Sequence, residues 1–111
     1  MYLTTEKGLA DFCDQLNSSS TLAIDTEFVR ERTYYHKLGL IQVSDGTHCA
    51  AIDPIHISNL EPFLNLVRNQ NTVKVFHAAR QDLEILHRLC DGVIQPVFDT
   101  QIAASVVGWG S

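Results

Sequence analysis

The stretch Leu22-Ala23-Ile24-Asp25-Thr26-Glu27-Phe28 sets two acids in an otherwise apolar, strand-like run. Alternate residues of a strand share a face. Leu22, Ile24, Thr26 and Phe28 therefore point one way, and Ala23, Asp25 and Glu27 the other. The two carboxylates stand about 7 Å apart along the strand. Brought to about 4 Å at an effective dielectric near 20, they repel by roughly 4 kcal/mol. A divalent cation offsets that repulsion directly, and hard oxygen ligands suit magnesium or manganese. An exposed strand end with solvated acids explains the same pattern without a metal, so this feature alone leaves both readings open.

A second acid-bearing segment is Val73 to Leu86, where a short apolar strand runs into a helix through His77. Asp82 falls in the first helical turn and shares a stripe with Ile85, Leu86 and Leu89, whereas Glu84 falls off the stripe and is expected in solvent. An aspartate on a core-facing stripe is unusual. A first-turn acid favouring the helix dipole is the plainer reading. His77 sits within reach of Asp82 along the chain, as a structural histidine or as a contact to metal or substrate. Phe28, just beyond the acids, either packs in the core or wedges against a terminal base.

The elements that must position these residues follow from periodicity and turn residues. Thr4 to Leu16 predicts an amphipathic helix capped by Thr4 or Thr5, with Leu9, Phe12, Cys13 and Leu16 on one face. Strands are predicted at Thr21 to Phe28, Leu40 to Val43 and Cys49 to Ile52, the last two joined by the turn signal Asp45-Gly46. A helix at Ser58 to Val67, a strand at Val73 to Phe76, a helix at Arg80 to Cys90 stopped by Gly92, and a strand at Val97-Phe98 follow. Asp99 is placed as the N-cap of a last helix running to Val107. Three early strands with hairpin spacing imply an antiparallel edge, and later strands alternating with helices imply parallel additions to it. The fold class is a mixed α/β sheet with helices covering its faces.

Composition narrows the function classes. The chain has 111 residues, 45% of them hydrophobic, and a formal net charge of −5. That charge argues against a broad basic nucleic-acid footprint, unless bound cations neutralise a carboxylate site or basic surface lies elsewhere. The one basic and aromatic cluster is Phe28 to Lys37, with Arg30, Arg32, His36, Lys37, Tyr34 and Tyr35. It suits single-stranded nucleic acid as well as it suits a solvated loop. No apolar run approaches the roughly 20 residues that span a bilayer, and the N-terminus lacks the pattern of a signal peptide. Cys13, Cys49 and Cys90 are expected as buried free thiols in a reducing, cytoplasmic-type compartment.

An Asp-x-Glu at the end of a first strand, with an Asp opening a helix after a later strand, resembles the DEDD exonucleases. The segments DTEFVRE, YYHKLGLIQVSDG, VFHAARQDLEIL and VFDTQIAASVVGWG, in that order, are most similar to the ribonuclease D family. The resemblance covers about Thr21 to Gly110. It implies an RNase H-like fold and metal-dependent removal of nucleotides from RNA 3' ends, with transfer RNA precursors among the substrates. It implies two divalent ions, Mg²⁺ or Mn²⁺, with Asp25 bridging both, Glu27 holding the first and Asp82 reaching the second through water. Thr26, Phe28 and His77 are the substrate contacts expected beside them. The family's third motif, Tyr-x-x-x-Asp or His-x-x-x-x-Asp on a later helix, is not found. His77-x-x-x-x-Asp82 has the spacing but lies directly after a strand, as the second motif does. The expectation is therefore an exonuclease domain that lacks its third motif, or a catalytically inactive module of the same fold that binds RNA or a protein. A haloacid dehalogenase-like phosphatase needs Asp at the position of Glu27, and a Rossmann domain needs a glycine-rich loop after the first strand. Trp109 is expected to be exposed, and nothing in the sequence sets an oligomeric state.

Overall fold

The acid-bearing strand lies inside the sheet rather than at its edge. The computed structural model describes residues 1–30, 36–77, 80–91 and 94–100. Its elements are β1 (Tyr2–Leu3), α1 (Glu6–Leu16), β2 (Thr21–Arg30), β3 (His36–Ser44), β4 (Cys49–Ile52), α2 (Glu61–Arg68), β5 (Val73–Phe76), α3 (Arg80–Cys90) and β6 (Val97–Asp99). The strands form one sheet in the order β1-β4-β3-β2-β5-β6. The β2–β3 and β3–β4 pairs are antiparallel, whereas β1–β4, β2–β5 and β5–β6 are parallel. Only β3 runs against the others, so the carboxyl ends of β2, β5 and β6 meet at one edge.

The mixed α/β sheet expected from the sequence is the architecture observed, with two differences. First, β1 pairs in parallel with β4 (Tyr2↔Ala51, Leu3↔Ile52), so β4 is not the edge. Two residues are too few to show a period. Second, all three described helices pack on one sheet face. Leu9, Phe12 and Leu16 of α1, Phe63 and Val67 of α2, and Leu86 of α3 form one core with Leu22, Ile24, Ile41, Val43, Ile52 and Phe76. The other face, through Ala23, Asp25, Gln42, Cys49 and Val75, is open or half-open among the described residues.

Local chemistry sets the boundaries. Thr5 caps α1 by accepting from the Gly8 N–H at 3.1 Å. Helix α2 begins at Glu61 rather than Ser58, because Asn59 Oδ1 takes the Glu61 N–H at 3.0 Å and Pro62 starts the helix with its fixed φ. At the β3–β4 turn, Gly46 has φ +93°, a conformation that favours glycine. Asp45 Oδ1 accepts there from the N–H groups of Thr47 and His48 at 2.9 and 2.6 Å. The buried stripe of α3 is Asp82, Leu86 and Cys90, whereas Leu89 is 40% exposed. The helix is thus rotated toward the i+4 row from the stripe expected. Cys13 and Cys90 are buried and Cys49 is exposed, so the thiol expectation holds for two of the three. Burial pushes the Cys13 thiol up to about 12, with the Asp14 charge adding to the effect. Gly92, Arg32, Tyr34, Tyr35 and Trp109 lie outside the described residues, as does the last helix beyond Thr100.

Two side chains tie the edges of the sheet. Lys74 is fully buried, and its Nζ donates to the main-chain carbonyls of Asn69 at 2.6 Å and Gln95 at 3.0 Å. Asp53, also buried, accepts from Tyr2 Oη at 2.9 Å, from the Ile55 and His56 N–H groups, and pairs with His56 Nδ1 at 2.6 Å. Burial opposes the Asp53 charge, but these bonds outweigh it and hold the carboxyl at about 2. Its folded pKa lies below the ordinary value, so the stability it contributes is present above about pH 4 and is lost as pH falls toward 2. In denaturant titrations between pH 2.5 and 7, the wild type is expected to lose stability on the acid side more steeply than Asp53→Asn. Identical slopes would remove Asp53 from the acid-labile set.

Candidate active site

Strand parity builds the site. Leu22, Ile24 and Thr26 are buried, and Ala23, Asp25 and Glu27 are exposed on the other face, as the alternation predicts. The β2–β3 register shifts between Glu27 and Phe28: Glu27 faces Leu40, Phe28 faces Leu38, and Gly39 is the extra residue. Such a bulge adds twist and re-aims the side chains beside it, here at the two acids.

Thr26 turns inward between Asp25 and Glu27, and its hydroxyl donates to the Asp82 carboxylate from the covered face. The contact follows from where the strands part. The β2–β5 pairing ends at Ala23↔Val75, and the first turn of α3 takes the space beyond it. Asp82, only 6% exposed, is thus anchored rather than solvated. Burial raises its carboxyl pKa. The Thr26 bond pulls it down, and the negative charges of Asp25 and Asp99 push it up again. Helix-dipole placement accounts for an acid in the first turn, but not for this burial or this partner.

The remaining candidates fall as follows. His77 follows β5 and is exposed, with Nδ1 at 2.8 Å from Thr100 Oγ1. Phe28 is half-buried against the hydrophobic core. The Thr26 hydroxyl, expected near substrate, serves Asp82. Asp99, expected as the N-cap of the last helix, is the last residue of β6, opposite Phe76 and directly before the helical Thr100, and its charge reaches Asp82. No sequence period marked it, because its proximity comes from sheet order. The open face forms a cleft of about 710 Å³ whose lining includes Ala23, Asp25, Gln42, Cys49, His77 and Thr100. Asp25 is near enough to Asp82 to repel it, and Glu27 stands one pleat further on. Among the described residues no three His, Cys, Asp or Glu side chains gather as a ready metal cage. The donor set itself is all hard oxygen, which fits Mg²⁺ or Mn²⁺, and a cation would relieve the like-charge pressure on Asp82.

A mixed sheet with carboxylates at the carboxyl ends of its parallel strands defines an RNase H-like domain of the exonuclease type. The family profile described as 3'-5' exonuclease matches residues 1–111, and the chain belongs to that family. It is 44% identical over 106 residues to ribonuclease D of Serratia proteamaculans, covering 96% of this chain and 28% of that protein. The crystal structure of Escherichia coli RNase D, described as an exoribonuclease involved in structured RNA processing, superposes with a TM-score of 0.89 at 42% identity, covering 97% of this chain and 29% of that one. Brucella melitensis NrnC with bound Mg²⁺ superposes at 0.67 with 27% identity, over 82% of this chain and 47% of that one. The chain thus spans under a third of the Serratia and E. coli proteins it matches.

Proposed function

We propose that this chain carries the first two carboxylate motifs of a metal-dependent 3'-5' exoribonuclease of the ribonuclease D type. One observation carries the reading. Asp25 and Glu27 share the open face of β2, while Thr26 between them turns inward and fixes Asp82. Asp25, Glu27 and Asp82 would hold two divalent ions, Mg²⁺ or Mn²⁺, and the relative with bound Mg²⁺ supports that assignment. When bound, such ions lower the pKa of the attacking water and stabilise the leaving oxygen of an in-line displacement.

The chain's own residues do the rest. Thr26 holds the Asp82 carboxyl in one orientation, so little reorganisation is needed when a cation arrives. The bulge at Gly39 aims the acids, and the cleft on the open face receives the RNA 3' end as a single strand. With a formal charge of −5, RNA affinity rests on bound cations and falls when they are removed. RNA 3' ends, transfer RNA precursors among them, are the substrates; the structured-RNA role of the E. coli protein supports this choice. A cytoplasmic setting fits the free thiols, and no helix among the described residues is long and apolar enough to cross a membrane.

The test is 3'-end shortening of a 5'-labelled single-stranded RNA by the full-length polypeptide that carries this chain. Stepwise shortening is expected with Mg²⁺ or Mn²⁺, ending on chelation and returning when metal is restored. Shortening that survives chelation, or none with either metal, would overturn the proposal.

A further inference from the structure

His77 has one ring nitrogen committed and lines the cleft. Thr100 Oγ1 donates its only proton to the Phe76 carbonyl at 3.2 Å. It is left to accept from His77 Nδ1, which lies 2.8 Å away. A neutral imidazole with its proton on Nδ1 presents Nε2 as an acceptor. Nε2 has no partner among the described residues, and the ring is exposed in the cleft that Asp25 also lines.

Sheet order brings the same three residues to one end of the sheet. Asp25 and His77 each lie two residues beyond the last β2–β5 pair, Ala23↔Val75, and both line the cleft. From Phe76↔Asp99, one residue onward lie His77 and Thr100. An acceptor held by a main-chain-anchored hydroxyl thus stands beside the acid of β2, at the carboxyl ends of three adjacent parallel strands. An acceptor there repels phosphate oxygens and attracts a donor. At the end of a nucleic-acid strand, the donor nearest the scissile bond is a sugar hydroxyl.

We propose that His77 Nε2 accepts a hydrogen bond from a hydroxyl of the 3'-terminal ribose, making it a specificity-determining residue that selects ribonucleotide ends. The proposal rests on the exonuclease reading, and the sugar hydroxyl is the feature that distinguishes RNA from DNA. Thr100 is the positioning residue, because it fixes which nitrogen carries the proton.

The test compares three oligonucleotides that differ only in the last sugar: ribose, 2'-deoxyribose and 3'-deoxyribose. Full-length protein is used, with hydrolysis followed in Mn²⁺ and binding followed by fluorescence anisotropy in Ca²⁺. His77→Asn keeps an amide donor for Thr100 and removes the acceptor; His77→Gln restores an acceptor near the Nε2 position. The wild type is expected to favour the ribose end about ten-fold over one of the two deoxy ends, the size of a single net hydrogen bond. The deoxy sugar that loses the preference identifies the hydroxyl. His77→Asn should abolish the preference by weakening the ribose end alone, and His77→Gln should recover part of it. Equal losses on all three ends in His77→Asn would mean a structural role and overturn the proposal, as would unchanged discrimination. A wild type that hydrolyses none of the three counts against the exonuclease reading, whereas the Ca²⁺ binding series still decides the role of His77.

Discussion

Asp25→Asn is expected to lower the proposed metal-dependent hydrolysis of RNA 3' ends by about 10³-fold, the scale seen when one preorganised electrostatic group is removed from an active site. The substitution keeps the shape of the side chain and deletes its charge. Asp25 is the acid that both lines the cleft and repels Asp82, so its loss removes one of the three carboxylates proposed to hold the cations. Glu27→Gln, one pleat away, is expected to cost less, about 10²-fold. Glu84→Gln, exposed on α3, should change nothing. A folding defect is separable from a chemical one. Removing Asp25 relieves repulsion within the metal-free protein, so its melting temperature in chelator should equal or exceed that of the wild type. The rise in melting temperature on adding Mn²⁺, which reports binding to the native state, should vanish. A variant that keeps both the metal-induced rise and the rate would remove Asp25 from the site.

Lys74→Ala is expected to destabilise the fold by about 3–5 kcal/mol, the range for emptying a buried site and stranding its polar partners. The ammonium joins the loop after α2 to the segment entering β6 by bonding the Asn69 and Gln95 carbonyls, and the Lys74 N–H bonds the Pro96 carbonyl. Burial lowers the Lys74 pKa, so the charge is held at some cost, and its value lies in satisfying the two main-chain carbonyls. Lys74→Met fills the volume without the bonds and should cost about 2 kcal/mol. Urea denaturation of the three proteins checks the order. A Met variant as stable as the wild type would show that the stem, not the ammonium, matters.

Lys74 also marks where reading the sequence stops working. In Val73-Lys74-Val75-Phe76 the alternation invites a solvent-facing lysine, yet Lys74 and Phe76 share the helix-covered face and the two valines are half-exposed. Its partners are main-chain carbonyls, one five residues before it and one 21 after it, which no side-chain pattern encodes. The same reason hid the Thr26–Asp82 bond and the His77–Thr100 pair: each joins residues brought together by sheet order. The parity of Asp25 and Glu27 was legible because it is a property of one strand. The helices α1 and α3 were legible because each has a clear apolar face, although the stripe of α3 was misplaced by one row. The two-residue β1 had no period to show, and the placement of the three described helices on one face needed the packing of α3 to reveal it.

The inward turn of Thr26 has a consequence for how this segment can change over evolutionary time. Along β2 one reading frame of alternation serves two tasks, since even-numbered positions fill the core and odd-numbered ones carry the acids. Point substitutions affect one task at a time. Insertion or deletion of a single residue between Leu22 and Glu27 exchanges the faces for everything beyond it, delivering carboxylates to the interior and stripping them from the edge together. Length variation in relatives should therefore collect in the turn around Gly46 and be excluded from β2, a constraint on gaps that is stricter than the constraint on any one side chain.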